Sequence, residues 1–257
     1  MNIPQQNHIL VGLGGTGGKV LKAFKKRLFQ EFTPEERAKL PIGFLYVDTT
    51  DEMMHPGDKS WYVLGENAQF NANEFLFIKG IQLEQIFANP SSYPGLKGVV
   101  GDPEVMQKSI GTLGVAAGQM RRAGRILFGA NVSMYRAAME NVYKRVSEIS
   151  KASGTCIYIF GGLAGGTGSG SIVDVVAQTR MIPAFKGEYQ TTSGGKAVGT
   201  NIVAYTMIPE ITPPAGSDEG RYHANGYAAL EELNALLCGA WKPYDLTGMS
   251  ATGRLEF

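Results

Sequence analysis

The sequence predicts an α/β fold: a doubly wound, mostly parallel sheet with helices on both faces, in a single domain over residues 1–257. Apolar runs of strand length alternate with segments whose apolar residues recur at helical spacing, and this alternation is typical of parallel sheets. Two of the predicted strands end in glycine-rich stretches that lead directly into helices. A chain of 257 residues is long enough to bury one large core.

The first half of the chain predicts a βα unit, a second buried strand and a less regular region. Residues 8–12 predict a short strand, and residues 18–32 predict a helix that buries Leu21 and Phe24 and exposes Lys25. The apolar run "IGFLYVDTTD" predicts a strand that is buried on both faces and ends in an acidic turn. Two short strands and one short helix are predicted next, at "WYVLG", "FLFI" and "DPEVMQKSI".

The second half repeats the alternation of helix and strand. One long helix is predicted from Met120 to about Lys151, and the buried strand "GTCIYIFGG" follows it. The helix after the second glycine stretch is predicted to begin where Ser169 or Ser171 would cap it. The last two predicted elements are a strand and a helix, at residues 199–211 and 225–237.

Composition and charge exclude several classes of protein. The 24 Lys and Arg residues nearly balance the 23 Asp and Glu residues, so the chain lacks the net charge that attracts nucleic acid or an anionic membrane. No apolar run approaches the length of a bilayer span. We therefore expect no nucleic-acid partner and no integral membrane contact. Cys156 and Cys238 have no metal-like spacing and follow no secretory signal, so we expect reduced thiols in a cytoplasmic protein.

The first glycine stretch, "GLGGTGG", is compatible with more than one phosphate ligand. Gly12, Gly14 and Gly17 form G-x-G-x-x-G, the pattern of dinucleotide-binding turns. Asp48, at the end of the second strand, matches the acid that binds a ribose in such folds, so an NAD-dependent Rossmann enzyme is one prediction. Any anion site at a strand-to-helix turn uses the same parts, because glycines let the backbone approach and the helix N-terminus offers N–H groups.

The second glycine stretch, "AGGTGSG" at residues 164–170, favours a different ligand. A dinucleotide fold needs only one phosphate loop. Two such loops at one edge of a sheet predict a ligand with several phosphates that backbone amides grip from both sides. Thr167 and Ser169 would add hydroxyl groups to these amides.

These motifs, in this order, resemble the tubulin/FtsZ superfamily. "AGGTGSG" is similar to its GGGTGSG signature loop, "VGLGGTGGKVL" resembles its first nucleotide loop, and "YVDTTD" resembles its second. "GVAAGQMRRAGR" at residues 114–125 resembles its γ-phosphate loop and the following helix. "YTMIPEI" and "NGYAALEEL" resemble the strand and helix that carry its ribose and base contacts. The resemblance spans residues 8–237 and is closest to the divergent bacterial tubulin-like proteins.

The resemblance implies a protein that binds GTP or GDP with Mg²⁺ and whose nucleotide state controls filament assembly. Nucleotide contacts are implied at the residues that match the family motifs: Gly12, Gly14, Gly15, Thr16, Gly17, Asp48, Gly118, Gln119, Gly165, Gly166, Thr167, Gly168, Ser169, Gly170, Glu219, Arg221 and Asn225. Among these, Asp48 would face Mg²⁺ through water. Glu219, Arg221 and Asn225 would reach the ribose and the base.

The sequence also departs from the family pattern. Ala164 stands at the first signature glycine, and Thr50 stands where tubulin has a second acidic residue near magnesium. The family's last sheet strand, central helix, catalytic acid and C-terminal activation domain have no counterpart before Phe257. Hydrolysis of GTP by this chain alone is therefore expected to be slow or absent. A non-polymerising GTP-sensing module and the NAD-dependent enzyme stay open as alternatives.

Three arginines follow the predicted γ-phosphate loop. Arg121, Arg122 and Arg125 are predicted to form a solvated helix face. Gln119, which is nearer the loop, is the better candidate for contact with the γ-phosphate. Trp61 and the aromatic residues at 70–77 predict core packing rather than a platform for a base.

Overall fold

The structure is a computed structural model that describes most of the chain. The described residues are 6–78, 83–110, 118–191, 197–213, 215–216, 218 and 220–256. The strands, in chain order, are β1 Asn7–Leu13, β2 Ile42–Asp48, β3 Tyr62–Val63, β4 Glu66–Asn67, β5 Phe75–Phe77, β6 Gly154–Gly162, β7 Gln190–Thr191 and β8 Ala197–Met207. The α-helices are α1 Gly14–Glu31, α2 Pro34–Arg37, α3 Leu83–Ala88, α4 Lys97–Val100, α5 Pro103–Ile110, α6 Arg121–Ala130, α7 Val132–Ser150, α8 Thr167–Met181 and α9 Tyr222–Leu237. Within these described ranges, no helix is both long and apolar enough to cross a bilayer.

The main sheet has six strands in the order β5-β2-β1-β6-β8-β7. Neighbouring strands are parallel except β7, which pairs antiparallel with β8. Leu13, at the end of β1, lies opposite Val47 of β2 on one side and Gly161 of β6 on the other. The chain adds β2 and β5 on one side of β1, and β6 and β8 on the other. Open α/β sheets bind ligands at the carboxyl ends of their strands at such a switch point.

Helices cover both faces of the sheet, as the sequence predicts. On one face, Ile9 and Val11 pack in the larger core with apolar residues of α6, α7 and α8. On the other face, Leu10 packs with Leu21 of α1. The same second core contains the aromatic side chains of Phe44, Tyr46, Trp61 and Phe70. Successive side chains of β1 therefore enter two different cores, which is expected of a parallel strand buried on both faces.

The predicted long helix from Met120 to about Lys151 is wrong, because two helices occupy this region. α6 ends at Ala130 and α7 begins at Val132, with Asn131 between them at φ −108° and ψ 14°. The Asn131 amide Nδ2 donates to the carbonyl oxygen of Leu127 at 2.8 Å. Asparagine side chains that bond to nearby backbone groups compete with the helical pattern, so this residue is a physical cause of the break.

The predicted solvent face of α1 is also partly wrong. Lys25 is buried, and its Nζ lies 2.5 Å from Oε2 of the buried Glu74. Burial lowers the pKa of Lys25, and the charge of Glu74 acts in the opposite direction. Phe24, which helical spacing assigned to the core, is 42% exposed. A buried lysine requires such a partner, and this partner lies 49 residues further along the chain.

The last strand and helix have shifted ends. β8 covers residues 197–207 instead of 199–211, and α9 begins at Tyr222 instead of at residue 225. Pro209 follows β8, and the start of α9 packs directly against it. A Cβ on Gly226 would lie 2.4 Å from Cγ of Pro209, so only glycine permits this approach. The contact fixes the position of the first turns of α9 relative to the end of β8.

Candidate functional site

The first glycine stretch forms a direct junction between strand and helix, because β1 ends at Leu13 and α1 begins at Gly14. Gly14 has φ +64°, a left-handed conformation that glycine tolerates. Gly12 and Gly17 are in close contact, since a Cβ on Gly12 would lie 2.7 Å from the carbonyl oxygen of Gly17. A Cβ on Gly15 would meet no described atom within 4 Å. The stretch thus combines glycines needed for packing with one that faces open space.

The second glycine stretch connects the end of β6 to α8. This helix begins at Thr167, with Gly166 as its N-cap and no side-chain cap. The predicted capping by Ser169 or Ser171 is therefore wrong, and the Ser171 hydroxyl instead donates to the carbonyl oxygen of Thr167 at 2.6 Å. A Cβ on Gly165 would meet no described atom within 4 Å, so this glycine also faces open space.

The two glycine stretches lie against each other. A Cβ on Gly14 would lie 3.2 Å from the backbone nitrogen of Gly168, and one on Gly162 would lie 2.6 Å from Oγ1 of Thr16. The N-termini of α1 and α8 are therefore neighbours at the switch point of the sheet. Neither has a side-chain cap or an acidic residue in its first turn. The first N–H groups of a helix lack intrahelical partners and lie at the positive end of its dipole, so this pair favours an anion.

Asp48 ends β2 beside the second glycine stretch, but its carboxylate is enclosed. The residue is 4% exposed and accepts hydrogen bonds from the Tyr46 hydroxyl at 2.5 Å and the Thr49 N–H at 2.7 Å. Burial raises the pKa of Asp48, while hydrogen bonds from Tyr46, Thr49 and Thr167 act in the opposite direction. The hydroxyls of Thr49 and Thr167 lie 2.9 Å apart and join the end of β2 to the start of α8.

Tyr46 and Thr49 are site residues that the sequence did not predict. Tyr46 precedes Asp48 by two positions, so strand geometry places both side chains on the same face of the sheet. Thr49 follows Asp48 directly in the polar turn "DTTD". These two positions relative to Asp48 are the sequence features that could have predicted Tyr46 and Thr49 as site residues. Neither feature identifies the partner of Thr49 on α8.

Three predicted site residues from distant parts of the chain meet beside the second glycine stretch. Gln119, Arg221 and Asn225 line a cavity of about 280 Å³. The amide nitrogen of Asn225 donates to the carbonyl oxygens of Gln119 and Ala164, both at 2.8 Å. The first turn of α9 therefore contacts both the second glycine stretch and the segment that precedes α6.

Part of the predicted site lies outside the described residues. This applies to Glu219 and to residues 114–117 of the predicted γ-phosphate loop. Gly118, the first described residue after that gap, is exposed and has φ +52°, a conformation that favours glycine.

The prediction of a solvated arginine face at the start of α6 is wrong for two of its three residues. Arg125 makes a two-point contact with the fully buried Asp174 of α8, at 2.6 Å for Nε–Oδ2 and 2.9 Å for Nη2–Oδ1. Arg121 donates to Oγ of Ser169 at 2.8 Å and to a glutamate of α9 at 2.7 Å. Arg122 is exposed. The acids come from two other helices, which the periodicity of one helix cannot reveal.

The Ser169 hydroxyl and the Gly170 N–H are both engaged by other parts of the protein. The fully buried Ser169 hydroxyl accepts from Arg121 and donates to the carbonyl oxygen of Asn225 at 3.2 Å. Gly170 donates its N–H to the carbonyl oxygen of Gly166 at 2.9 Å. A Cβ on Gly170 would lie 2.1 Å from the carbonyl oxygen of Arg121, so this glycine permits α8 to pack on α6.

Comparison with protein families identifies the family to which this chain belongs. A family model described as tubulin like matches residues 9–254. The chain belongs to this tubulin-like family. The match covers both glycine stretches, the end of β2 and the start of α9, so the resemblance expected from the sequence motifs is confirmed.

The fold is similar to that of a known structure. CetZ from Methanosaeta thermophila strain DSM 6194 matches 90% of this chain with a TM-score of 0.52 and 16% sequence identity. CetZ1 from Haloferax volcanii, described as a GDP-bound monomer, matches 88% of this chain with a TM-score of 0.49 and 13% identity. The matches cover 43% and 47% of those two chains, so this chain spans less than half of their length. No curated protein sequence matches this chain significantly.

Proposed function

We propose that this tubulin-like protein binds a guanine nucleotide, GTP or GDP, whose phosphates lie between residues 12–18 and 164–170. The observation that carries the proposal is the pair of adjoining helix N-termini at the switch point, both without a side-chain cap. Gly15 and Gly165 support it, because both leave the backbone accessible from open space. A ligand with several phosphates uses both sets of amides, whereas a single phosphate needs only one.

Backbone amides from both helices are the proposed phosphate ligands. In the first turns of α1 and α8, these are the N–H groups of Gly14, Gly15, Thr16, Thr167, Gly168 and Ser169. The exposed Thr16 adds a side-chain donor. Gly12, Gly17 and Gly170 support the site through close backbone packing instead of direct contact.

The residues beside the second glycine stretch fit Mg²⁺ held through water. Mg²⁺ usually keeps several waters and takes one or two carboxylates together with substrate phosphates. Both oxygens of Asp48 already accept hydrogen bonds, from Tyr46 and Thr49. We therefore propose that Asp48 orients a water of the ion, which would neutralise phosphate charge when bound. Among the described residues, no group of three or more His, Cys, Asp and Glu side chains forms a metal cluster.

The remaining parts of the proposal rest on the family. Gln119 is proposed to face the γ-phosphate, and Arg221 and Glu219 to reach the ribose and base, with guanine preferred over adenine. Nucleotide state would control self-association in the cytoplasm, and a GTP sensor that does not polymerise is the alternative. Slow hydrolysis is expected, because orienting the water that attacks the γ-phosphate needs an acceptor such as a carboxylate, and we assign no described residue to that role.

The NAD-dependent alternative has less support from the geometry. A dinucleotide fold needs only one phosphate loop, whereas the uncapped N-termini of α1 and α8 adjoin at the switch point of this sheet. That alternative also assigns no role to the second glycine stretch.

Equilibrium titration with fluorescent GTP, ATP and NAD tests the proposed function. We expect GTP to bind most tightly, unlabelled GTP to displace it, and removal of Mg²⁺ with EDTA to weaken binding, because the ion offsets phosphate charge. NAD binding more tightly than GTP would contradict the proposal, as would the absence of binding by any of the three ligands.

A further inference from the structure

Asn225 touches the second glycine stretch on both of its sides. Its amide nitrogen lies 2.8 Å from the carbonyl oxygen of Ala164, before the start of α8, and its own carbonyl oxygen accepts from Ser169 at 3.2 Å, inside the first turn of that helix. The same amide nitrogen donates to the carbonyl oxygen of Gln119 at 2.8 Å. One residue of α9 thus links three separate parts of the proposed nucleotide site.

The donor capacity of this amide is used within the protein. An asparagine amide carries two N–H groups, and the two carbonyl oxygens at 2.8 Å require the nitrogen, because an oxygen there would repel them. Asn225 is 6% exposed. Its amide nitrogen therefore has no strong N–H donor left for a ligand.

We propose that Asn225 is a positioning residue that acts as a clamp, because it holds the first-turn amides of α8 at the spacing that phosphate oxygens require. This inference rests on the proposed function. The tight contact of Gly226 with Pro209 fixes the first turns of α9, so the clamp has a rigid base. Arg121 supports it from the other side, since it donates to both the hydroxyl and the carbonyl oxygen of Ser169.

The test compares Asn225→Ala with the parent protein for three ligands: GTP, ATP and inorganic tripolyphosphate. Because the clamp acts on the phosphate-binding backbone, all three affinities should fall by a common factor of about tenfold. Asn234→Ala, an exposed asparagine on the same helix, should leave all three unchanged. A loss confined to GTP, or a loss for both nucleotides with tripolyphosphate unaffected, would instead assign Asn225 to the base or the ribose and overturn the proposal.

A second readout needs no nucleotide. Amide hydrogen exchange at residues 164–169 should be faster in Asn225→Ala than in the parent, and unchanged exchange would refute the clamp. If the parent binds none of the ligands, the proposed function fails, while this comparison still decides whether the clamp exists. Asn225→Asp, which keeps the size but places a carboxylate against two carbonyl oxygens, gives the same comparison if the alanine variant does not fold.

Discussion

Gly15→Ala and Gly165→Ala should each lose most nucleotide binding, by about 100-fold, in a protein that is at least as stable as the parent. A Cβ at either position meets no described atom within 4 Å, and neither glycine has a positive φ. The added methyl group therefore costs the fold nothing but occupies the space in front of the phosphate-binding amides. Alanine inside α1 should also raise the free energy of unfolding by about 0.5–1 kcal/mol.

Isothermal titration with GTP measures the affinity, and urea denaturation of the same samples measures the free energy of unfolding. Gly187→Ala is the matched control, since its Cβ would make only a 3.4 Å contact with Gly199, and its affinity should equal that of the parent. Gly168→Val is a less direct test, because a Cβ there lies 3.0 Å from the carbonyl oxygens of Gly162 and Leu13 and would move both strand ends. If a folded Gly165→Ala protein bound GTP with the affinity of the parent, the proposed placement of the phosphates at this surface would be wrong.

Gly17→Ala should lower the free energy of unfolding by about 3 kcal/mol. A Cβ on Gly17 would lie 2.4 Å from the carbonyl oxygen of Phe160 and 2.8 Å from the carbonyl carbon of Gly12, and both atoms belong to central strands. The backbone must therefore move apart where α1 crosses β1 and β6. Gly15→Ala changes the same helix two positions earlier and should have the opposite sign.

Urea denaturation of these two variants side by side separates packing from helix propensity. If Gly17→Ala were as stable as the parent, α1 would not pack against β1 and β6 as closely as the structure shows at Gly17. A decrease in both variants would show that the open space beside Gly15 is filled.

The fold was predictable because its main determinants are local in the sequence. The alternation of apolar runs with helical periods gave the parallel sheet, and the glycines at 12–17 and 164–170 marked the two strand-to-helix junctions. The errors arose where distant residues decide the local structure. Lys25 is buried because it forms an ion pair with Glu74. Arg125 is enclosed because it forms an ion pair with Asp174 on a neighbouring helix.

The candidate site was predictable from the sequence only in part. Backbone-exposed glycines at the ends of two strands indicate an anion site without reference to any partner. The side-chain contacts that organise the site depend on tertiary structure. Thr49 hydrogen-bonds Thr167, and the Asn225 amide donates to two carbonyl oxygens that no sequence pattern predicts. The family resemblance predicted a ligand contact for Asn225, and we propose a structural clamp at this residue.

Amide hydrogen exchange with and without GTP and Mg²⁺ tests the central claim most directly, because the claim concerns backbone amides. At saturating nucleotide, exchange should slow in residues 12–18 and in residues 164–170 together, while α7, which packs in the larger core, should change little. Protection of only the first segment would support a single-loop dinucleotide site. Saturation by GTP without slowed exchange in either segment would contradict the placement of the phosphates between the two helix N-termini.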